Sequence, residues 1–307
     1  MQPKPFTMYF TSFDTYESCP QQFLWRYGWG GIDLGRGPGK GREKPVRKSE
    51  HDKFLGTTIQ GVIEWMYNEE MWKDPQKLLQ RMEERLDVAW AKEFPRHYFS
   101  FTGLFPSPSS DELRRVCLEG IRGFLRTMKA NHLLGPYARA EVDMLGYVNK
   151  GTPIGGKADL IIRREDSGVT LYDGKNSKTK GKYTNPDQLR WYALCFYLKF
   201  GRLPDHLAFI YYRYPYGTPI EGSDQVESGL DVVPFTKADI RGLAERAVDA
   251  RKGMNEEKFE ATPKPIYCKW CDWETVCCER QAQKQSRARK CPDSMKVLDE
   301  VSGYVDL

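Results

Sequence analysis

Long uninterrupted apolar runs are missing from this chain of 307 residues. No window approaches the roughly 18 consecutive apolar residues of a membrane-spanning helix. The first residues, MQPKPFTMYF, do not place a charged segment before an apolar one, as an export signal would. Internal repeats and low-complexity tracts are also missing. We therefore expect a globular cytoplasmic protein, and the composition argues against a membrane protein, a secreted disulfide scaffold or a disordered tail protein.

Charge of one sign is only in slight excess, because 47 lysines and arginines face 42 acidic residues, for a net charge of +5. This mildly basic balance permits a polyanionic partner without requiring one. The chain also holds eight cysteines. Without an export signal we expect a reducing compartment, where clustered cysteines indicate a metal site rather than disulfides.

The order of predicted elements favours the α/β class with a mixed sheet. The N-terminal part combines an aromatic helix over 12–27 with a basic segment rich in glycine and proline over 29–53, which fits a solvated linker or a polyphosphate-contacting loop. Amphipathic helices follow, one starting at Asp74 and one opened by a capping box of Ser109 and Glu112. The remaining predicted elements are strands over 139–148, 153–163 and 169–175, a helix over 186–198, a strand over 206–214, and a helix from Thr236 to near Gly253.

Two carboxylates and a lysine are the most informative polar residues of the predicted hairpin. Asp159 lies in its first strand, and Asp173 and Lys175 end the second as D-x-K. Residues i and i+2 of a strand share a face, so Asp173 and Lys175 project together. If Asp159 lies opposite them, the group suits Mg²⁺ or Mn²⁺, with the lysine able to orient water and stabilise phosphate charge. On these residues alone, a surface hairpin with routine charges is the competing interpretation.

The residues that follow the D-x-K add further polar features. The lysines 178, 180 and 182 come without an acidic residue among them, and Gln188 and Tyr192 share a helix face at i and i+4. The segment from Gly151 to Lys157 nearly spells a phosphate-binding loop, but Ala158 replaces the Ser or Thr that would hold Mg²⁺ and the segment leads into a strand. Nucleotide hydrolysis through this segment is therefore not expected.

A cysteine cluster near the C-terminus has the spacing of a metal site. Cys268, Cys271 and Cys277 are spaced C-x2-C-x5-C, and the candidates for a fourth ligand are Cys278, Cys291 and the distant Cys19. A closed zinc site and an iron–sulfur cluster both fit this spacing, and unmetallated thiols are the third possibility.

Taken together, these motifs resemble those of the PD-(D/E)XK nucleases of the RecB type, in the iron–sulfur subgroup that includes the CRISPR-associated RecB-like exonucleases and the AddB nuclease domain. The resemblance extends from Phe10 to about Gln281. The matching motifs are Ser12 through Cys19-Pro20 to Phe23, Gly156 through Asp159, Asp173-Gly174-Lys175, Gln188 with Tyr192, and the C-x2-C-x5-C cysteines.

The resemblance implies a restriction-endonuclease-like fold, a mixed central sheet flanked by helices in a single domain over 1–281. Within it we expect the basic loop and a helical insertion over 29–135, the catalytic core over 136–215, a cysteine clasp over 263–281, and then a basic tail over 282–307. It further implies a [4Fe–4S] cluster that joins the two ends of the chain, held by Cys19, Cys268, Cys271 and Cys277.

The resemblance also assigns roles at the hairpin. Asp159, Asp173 and the carbonyl of Gly174 would hold Mg²⁺ or Mn²⁺, and Lys175 would position or deprotonate the attacking water. Glu141 resembles a further acidic position of these enzymes. Gln60 stands where the family usually carries a metal-binding histidine; its amide oxygen can bind Mg²⁺ or Mn²⁺ but lacks the affinity of imidazole for softer metals.

The function implied is a metal-dependent DNA exonuclease acting on single-stranded ends in recombination, repair or DNA processing. The substrate backbone would be contacted by Gln188, Tyr192, Lys178, Lys180 and Lys182. Three alternatives stay open: trimming of DNA for CRISPR spacer acquisition beside an integrase partner, a non-catalytic DNA-end-binding module, and an RNA-directed or purely structural zinc-clasp protein.

Overall fold

The computed structural model of this chain describes residues 6–28, 50–101, 109–181, 184–215 and 228–264, together with Cys268, Cys271 and Cys277. Lys182, Cys278, Cys291, most of the basic segment over 29–53 and the C-terminal tail lie outside the described residues. The chain divides into two compact units. One combines Met1–Thr7 with Val46–Glu245, and the other combines Met8–Pro45 with Arg246–Leu307.

Seven α-helices and six strands are present in the described residues. In chain order they are β1 (Met8–Tyr9), α1 (Phe10–Ser18), α2 (Pro20–Tyr27), α3 (Glu50–Asn68), α4 (Leu78–Phe101), α5 (Ser110–Ala130), β2 (Ala138–Tyr147), β3 (Pro153–Arg164), β4 (Gly168–Lys175), α6 (Pro186–Phe200), β5 (His206–Tyr211), β6 (Leu230–Val232) and α7 (Lys237–Asn255). None of these helices has the length and apolar composition needed to cross a bilayer.

The strands of the first unit form a mixed sheet, as the sequence predicts. The antiparallel pairs are β2 with β3, β3 with β4, and β5 with β6. The pair of β4 with β5 is parallel and is connected through α6. A parallel pair requires such a crossover, and the apolar strand β5, buried from Leu207 to Tyr211, fits the centre of the sheet. The fold is therefore mixed α/β, with a central sheet flanked by helices.

Helices α3, α4 and α5 form the helical part of the core of this unit. The apolar residues of α3 return at i, i+3 and i+4 spacing and are buried: Ile59, Val62, Ile63, Met66 and Tyr67. The capping box of α5 is confirmed, because the Ser109 hydroxyl accepts a hydrogen bond from the Glu112 N–H and the Glu112 carboxylate accepts one from the Ser109 N–H. Cys117 is fully buried on α5, as a small residue of the core.

Three predicted boundaries on helices are wrong. The basic segment ends before residue 53, because α3 already begins at Glu50. The helix predicted from Asp74 begins only at Leu78, after a short 3-10 helix over Met71–Lys73. The single helix predicted over 12–27 is broken at Cys19, whose backbone is extended (φ −162°). Pro20 explains this break, since a proline disfavours the helical conformation of the residue before it.

The second unit is held together by contacts between its N-terminal helices and the chain after Arg246. The guanidinium of Arg246 pairs with the carboxylate of Glu17, and the Tyr16 hydroxyl donates to the Lys258 carbonyl at 3.0 Å. The ring of Phe259 stacks on that of Phe23. These contacts join two segments of this unit that are far apart in sequence.

Candidate active site

The hairpin of β3 and β4 brings Asp159 and Asp173 together. Leu160 pairs with Tyr172 in the antiparallel register, so the two aspartates follow directly at the end of this ladder. The Gly174 N–H donates to Oδ2 of Asp159 at 2.8 Å, which fixes the Asp159 carboxylate against β4. The convergence expected from the sequence is therefore present.

Lys175 and Gln188 complete a compact group around Asp173. Nζ of Lys175 lies 2.5 Å from Oδ2 of Asp173 and donates to Oε1 of Gln188 at 2.9 Å. Nε2 of Gln188 donates to Oδ1 of Asp173 at 2.9 Å and to the Tyr192 hydroxyl at 3.0 Å. Helix α6 thus presents Gln188 and Tyr192 to the aspartates. Their predicted contact with DNA stays a prediction.

Burial dominates the electrostatics of this group. It raises the pKa of Asp159 well above its ordinary value; repulsion from Asp173 adds to the shift, and the hydrogen bond from Gly174 opposes it. Burial also raises the pKa of Asp173, against the attraction of Lys175. The two carboxylates therefore favour binding of a proton or another cation in their neighbourhood.

The donor set fits a hard divalent cation. Both carboxylates are buried, and Oδ2 of Asp173 lies beside the Lys175 ammonium. Carboxylate oxygens are the ligands that Mg²⁺ uses in proteins, usually one or two of them with bound water. Within the described part of the chain, no three His, Cys, Asp or Glu side chains are grouped closely enough to hold a metal. A cation here would depend on Asp159 and Asp173 with water or backbone oxygens.

Gln60 contacts Asp159 through the backbone. Its Nε2 donates to the Asp159 carbonyl at 3.2 Å, and its Oε1 accepts from the Tyr212 hydroxyl at 2.6 Å. Both ends of the amide are thus bonded to protein. Tyr212 is buried and its own N–H donates to the Lys175 carbonyl. The sequence analysis missed Tyr212, because in sequence it reads as one more apolar residue of a buried strand.

Glu141 lies opposite Asp159 at an interruption of the β2–β3 ladder. Ala140 pairs with Leu160 and Val142 with Ala158, but the residues between them are not paired. Glu141 has a left-handed backbone (φ 54°), a strained conformation for a residue with a side chain. Its carboxylate forms an ion pair with Lys157. Metal binding by Glu141 stays a prediction.

The segment after Lys175 carries further polar groups. Both Nδ2 and Oδ1 of Asn176 are buried without a hydrogen-bond partner. Leaving such groups unpaired costs about 1–3 kcal/mol each, so a ligand or water that bonds them is favoured. Nζ of Lys180 lies 4.7 Å from the centre of the Tyr214 ring, and Lys178 pairs with Glu119 of α5.

The four cysteines expected to hold a cluster line one cavity of the second unit. Cys19, Cys268, Cys271 and Cys277 all line it, beside Trp25. The Cys271 N–H donates to the Cys268 carbonyl at 3.0 Å. The thiols do not form a group at metal-binding distance in the described residues. Their chemistry suits iron or zinc, and the iron–sulfur cluster stays a proposal.

Comparison with known proteins supports the family assignment. No curated protein matches this chain. A solved structure described as "Crystal structure of SSO0001" is similar over 74% of this chain and 96% of that chain, with 16% identity and a TM-score of 0.31, too low to support any argument. Residues 9–278 match the family described as "PD-(D/E)XK nuclease superfamily", which spans both the aspartates of the hairpin and the cysteine segment. The chain belongs to the PD-(D/E)XK nuclease superfamily.

Proposed function

We propose that this protein is a metal-dependent DNA exonuclease that acts on single-stranded ends in recombination, repair or DNA processing. The observation that carries the proposal is the group formed by Asp173, Lys175 and Gln188 beside Asp159. Within this group the Lys175 ammonium contacts both the Asp173 carboxylate and the Gln188 amide, at 2.5 and 2.9 Å. A lysine held in this way next to two carboxylates suits phosphodiester hydrolysis.

Each residue has a role in this proposal. Asp159 and Asp173, with the Gly174 carbonyl, would hold Mg²⁺ or Mn²⁺. When bound, such an ion supplies Lewis-acid activation of water and of the phosphate. Lys175 would orient the attacking water and stabilise the negative charge that develops on the phosphate. Gln188 would fix the position of the Lys175 ammonium, and Tyr192 that of the Gln188 amide.

Single-stranded substrate is supported by the cationic and aromatic groups of the segment after β4. Lys178 and Lys180 follow the catalytic strand, and the Lys180 ammonium lies over the Tyr214 ring. Cations that contact the backbone, together with aromatic rings, are the groups that bind single strands without reading their sequence. Binding through phosphate contacts should weaken steeply with salt.

The test is release of nucleotides from end-labelled single-stranded DNA in the presence of Mn²⁺ or Mg²⁺. We expect Asp173→Asn to abolish release, because the change removes the charge at nearly constant shape. Asp166→Asn is the matched control, since this exposed carboxylate of the same hairpin pairs only with neighbouring Arg164 and Ser167. Activity that survives in Asp173→Asn would refute the proposal. DNA binding without turnover in the wild type would favour the non-catalytic end-binding module.

We also propose that Cys19, Cys268, Cys271 and Cys277 hold a [4Fe–4S] cluster. Their placement around one cavity supports this. Iron and acid-labile sulfide measured on protein purified without oxygen should be present in the wild type and lost in Cys268→Ser. Cys117→Ala, at a buried cysteine outside the cavity, should retain both. Zinc in place of iron would contradict the cluster.

A further inference from the structure

Two cationic side chains of the first unit lie on the segments that follow β4 and β5. Lys178 follows the end of β4 by three residues, and Arg213 follows the end of β5 by two. Both contact one carboxylate: Nζ of Lys178 lies 3.0 Å from Oε1 of Glu119, and Nε of Arg213 lies 3.0 Å from Oε2. One helical residue therefore joins the two segments that carry Lys175 and Tyr212.

The site is open to a ligand. The side chains of Lys178 and Glu119 are 55% and 40% exposed, whereas that of Arg213 is 19% exposed. Partial burial acts to raise the pKa of Glu119, but hydrogen bonds from Lys178 and Arg213 outweigh it and lower this pKa. The Glu119 carboxylate is thus charged at neutral pH. It lies between Lys178 and Arg213, at a place where another anion could bind.

We propose that Lys178 and Arg213 form a binding site for a backbone phosphate of the DNA strand, and that Glu119 occupies this site when no DNA is bound. The proposal rests on the proposed nuclease function and adds regulation of the same site by a built-in competitor. A carboxylate and a phosphate offer the same paired oxygens to a guanidinium, so the strand would displace Glu119 without moving either cation far. The buried Nδ2 and Oδ1 of Asn176, two residues before Lys178, offer a further donor and acceptor to a ligand at this segment.

The test is the affinity for a fluorescent oligothymidylate, measured by anisotropy in EDTA so that no cleavage occurs. In Glu119→Gln the two cations lose their competitor. We expect the dissociation constant at low salt to fall at least about threefold, because the strand no longer has to displace a carboxylate from the two cations. The control is Glu83→Gln, which changes the net charge equally and releases Arg122, its ion-pair partner on the surface between α4 and α5.

A second variant separates displacement from a general charge effect. If Glu119 masks Lys178, then Lys178→Met should weaken binding more in the Glu119→Gln background than in the wild type. Equal affinities of the Glu119→Gln and Glu83→Gln variants would overturn the inference. Strictly additive effects of Glu119→Gln and Lys178→Met would overturn it as well. Because these measurements need no turnover, a selective gain in Glu119→Gln would support the phosphate site even if the wild type cleaved no DNA. Normal cleavage with no selective gain would refute the site alone.

Discussion

The hydroxyl of Tyr212 donates a 2.6 Å hydrogen bond to Oε1 of Gln60, whose Nε2 in turn donates to the carbonyl of Asp159. Burial, and after it the charges of Asp159 and Asp173, raise the pKa of Tyr212 well above its ordinary value, so the hydroxyl remains a donor. Helix α3 and the residue that follows β5 thus hold the backbone of Asp159 through neutral groups.

Tyr212→Phe should destabilise the protein by about 1–3 kcal/mol, because it leaves Oε1 of Gln60 buried without its donor. The free energy of unfolding in urea measures this. Tyr67→Phe is the matched control, since the Tyr67 hydroxyl is buried with no hydrogen-bond partner and its removal should cost little or stabilise. Equal losses in the two variants would show that the hydroxyl of Tyr212 contributes nothing specific.

Gly174→Ala should abolish nuclease activity and lower stability. A Cβ at Gly174 would lie 1.7 Å from the Tyr212 hydroxyl oxygen, so either the D-x-K strand or Tyr212 must move. Gly242→Ala, on α7, meets no atom within 4 Å and should be neutral or stabilising by up to about 1 kcal/mol. Activity and urea unfolding of both variants test this, and an active Gly174→Ala enzyme would contradict the close approach.

In the metal-free protein, the contribution of Asp159 to stability should fall as pH rises. The pKa of Asp159 is raised on folding, so the folded state retains a proton that the unfolded chain releases above its ordinary pKa of 3.8. Asp159 therefore contributes its full stabilisation below the pKa of the unfolded chain. This stabilisation is lost as pH rises through the higher pKa of the folded protein. Unfolding of the wild type and Asp159→Asn, in EDTA from about pH 4 to about pH 8, measures the difference. Excess Mg²⁺ should remove the loss, because the cation takes the place of the proton. If the wild type instead gained stability relative to Asp159→Asn as pH rises, the prediction would be wrong.

Gln188→Leu should lower the rate of cleavage by about tenfold to 100-fold, since a misplaced catalytic group commonly costs this much. The change removes the amide that bridges Lys175 and Asp173. Gln80→Leu is the control, because the amide of Gln80 bonds only to exposed Glu84 on α4. Single-turnover rates at saturating DNA separate this loss from weaker binding, and an unchanged rate would remove Gln188 from the catalytic group.

Much of the first unit could be predicted from local pattern. The hairpin strands, the stripe of α3 and the capping box of α5 follow from periodicity and capping residues that act over a few positions. The convergence of Asp159 and Asp173 could also be predicted, because two strands joined by a short turn pair with each other. Helix starts were less certain: α4 begins after Asp74 because a 3-10 helix and a turn come first.

The partners of the catalytic residues could not be predicted in the same way. Tyr212 meets Gln60 across 152 positions of sequence, and Glu119 meets Arg213 across 94. Nothing in the sequence near Tyr212 distinguishes its hydroxyl from that of Tyr211, which instead accepts from the N–H of Gly181. In the structure β5 pairs with β4 in parallel, with Tyr211 opposite Lys175, and it is Tyr212 that reaches Gln60 of α3.

That register has a consequence for how the molecule acquires its activity during folding. The two aspartates belong to a hairpin whose closure spans few residues, whereas Tyr212 reaches the Lys175 carbonyl only after the chain has passed through α6 and docked β5 in parallel. Pairing of this kind closes a longer loop and is slow to form. During refolding, the amides of the hairpin should therefore become protected from hydrogen exchange before Tyr212 docks. Nascent chains that have not yet docked β5 would carry the two aspartates without the Tyr212 contact that holds the backbone of Asp159.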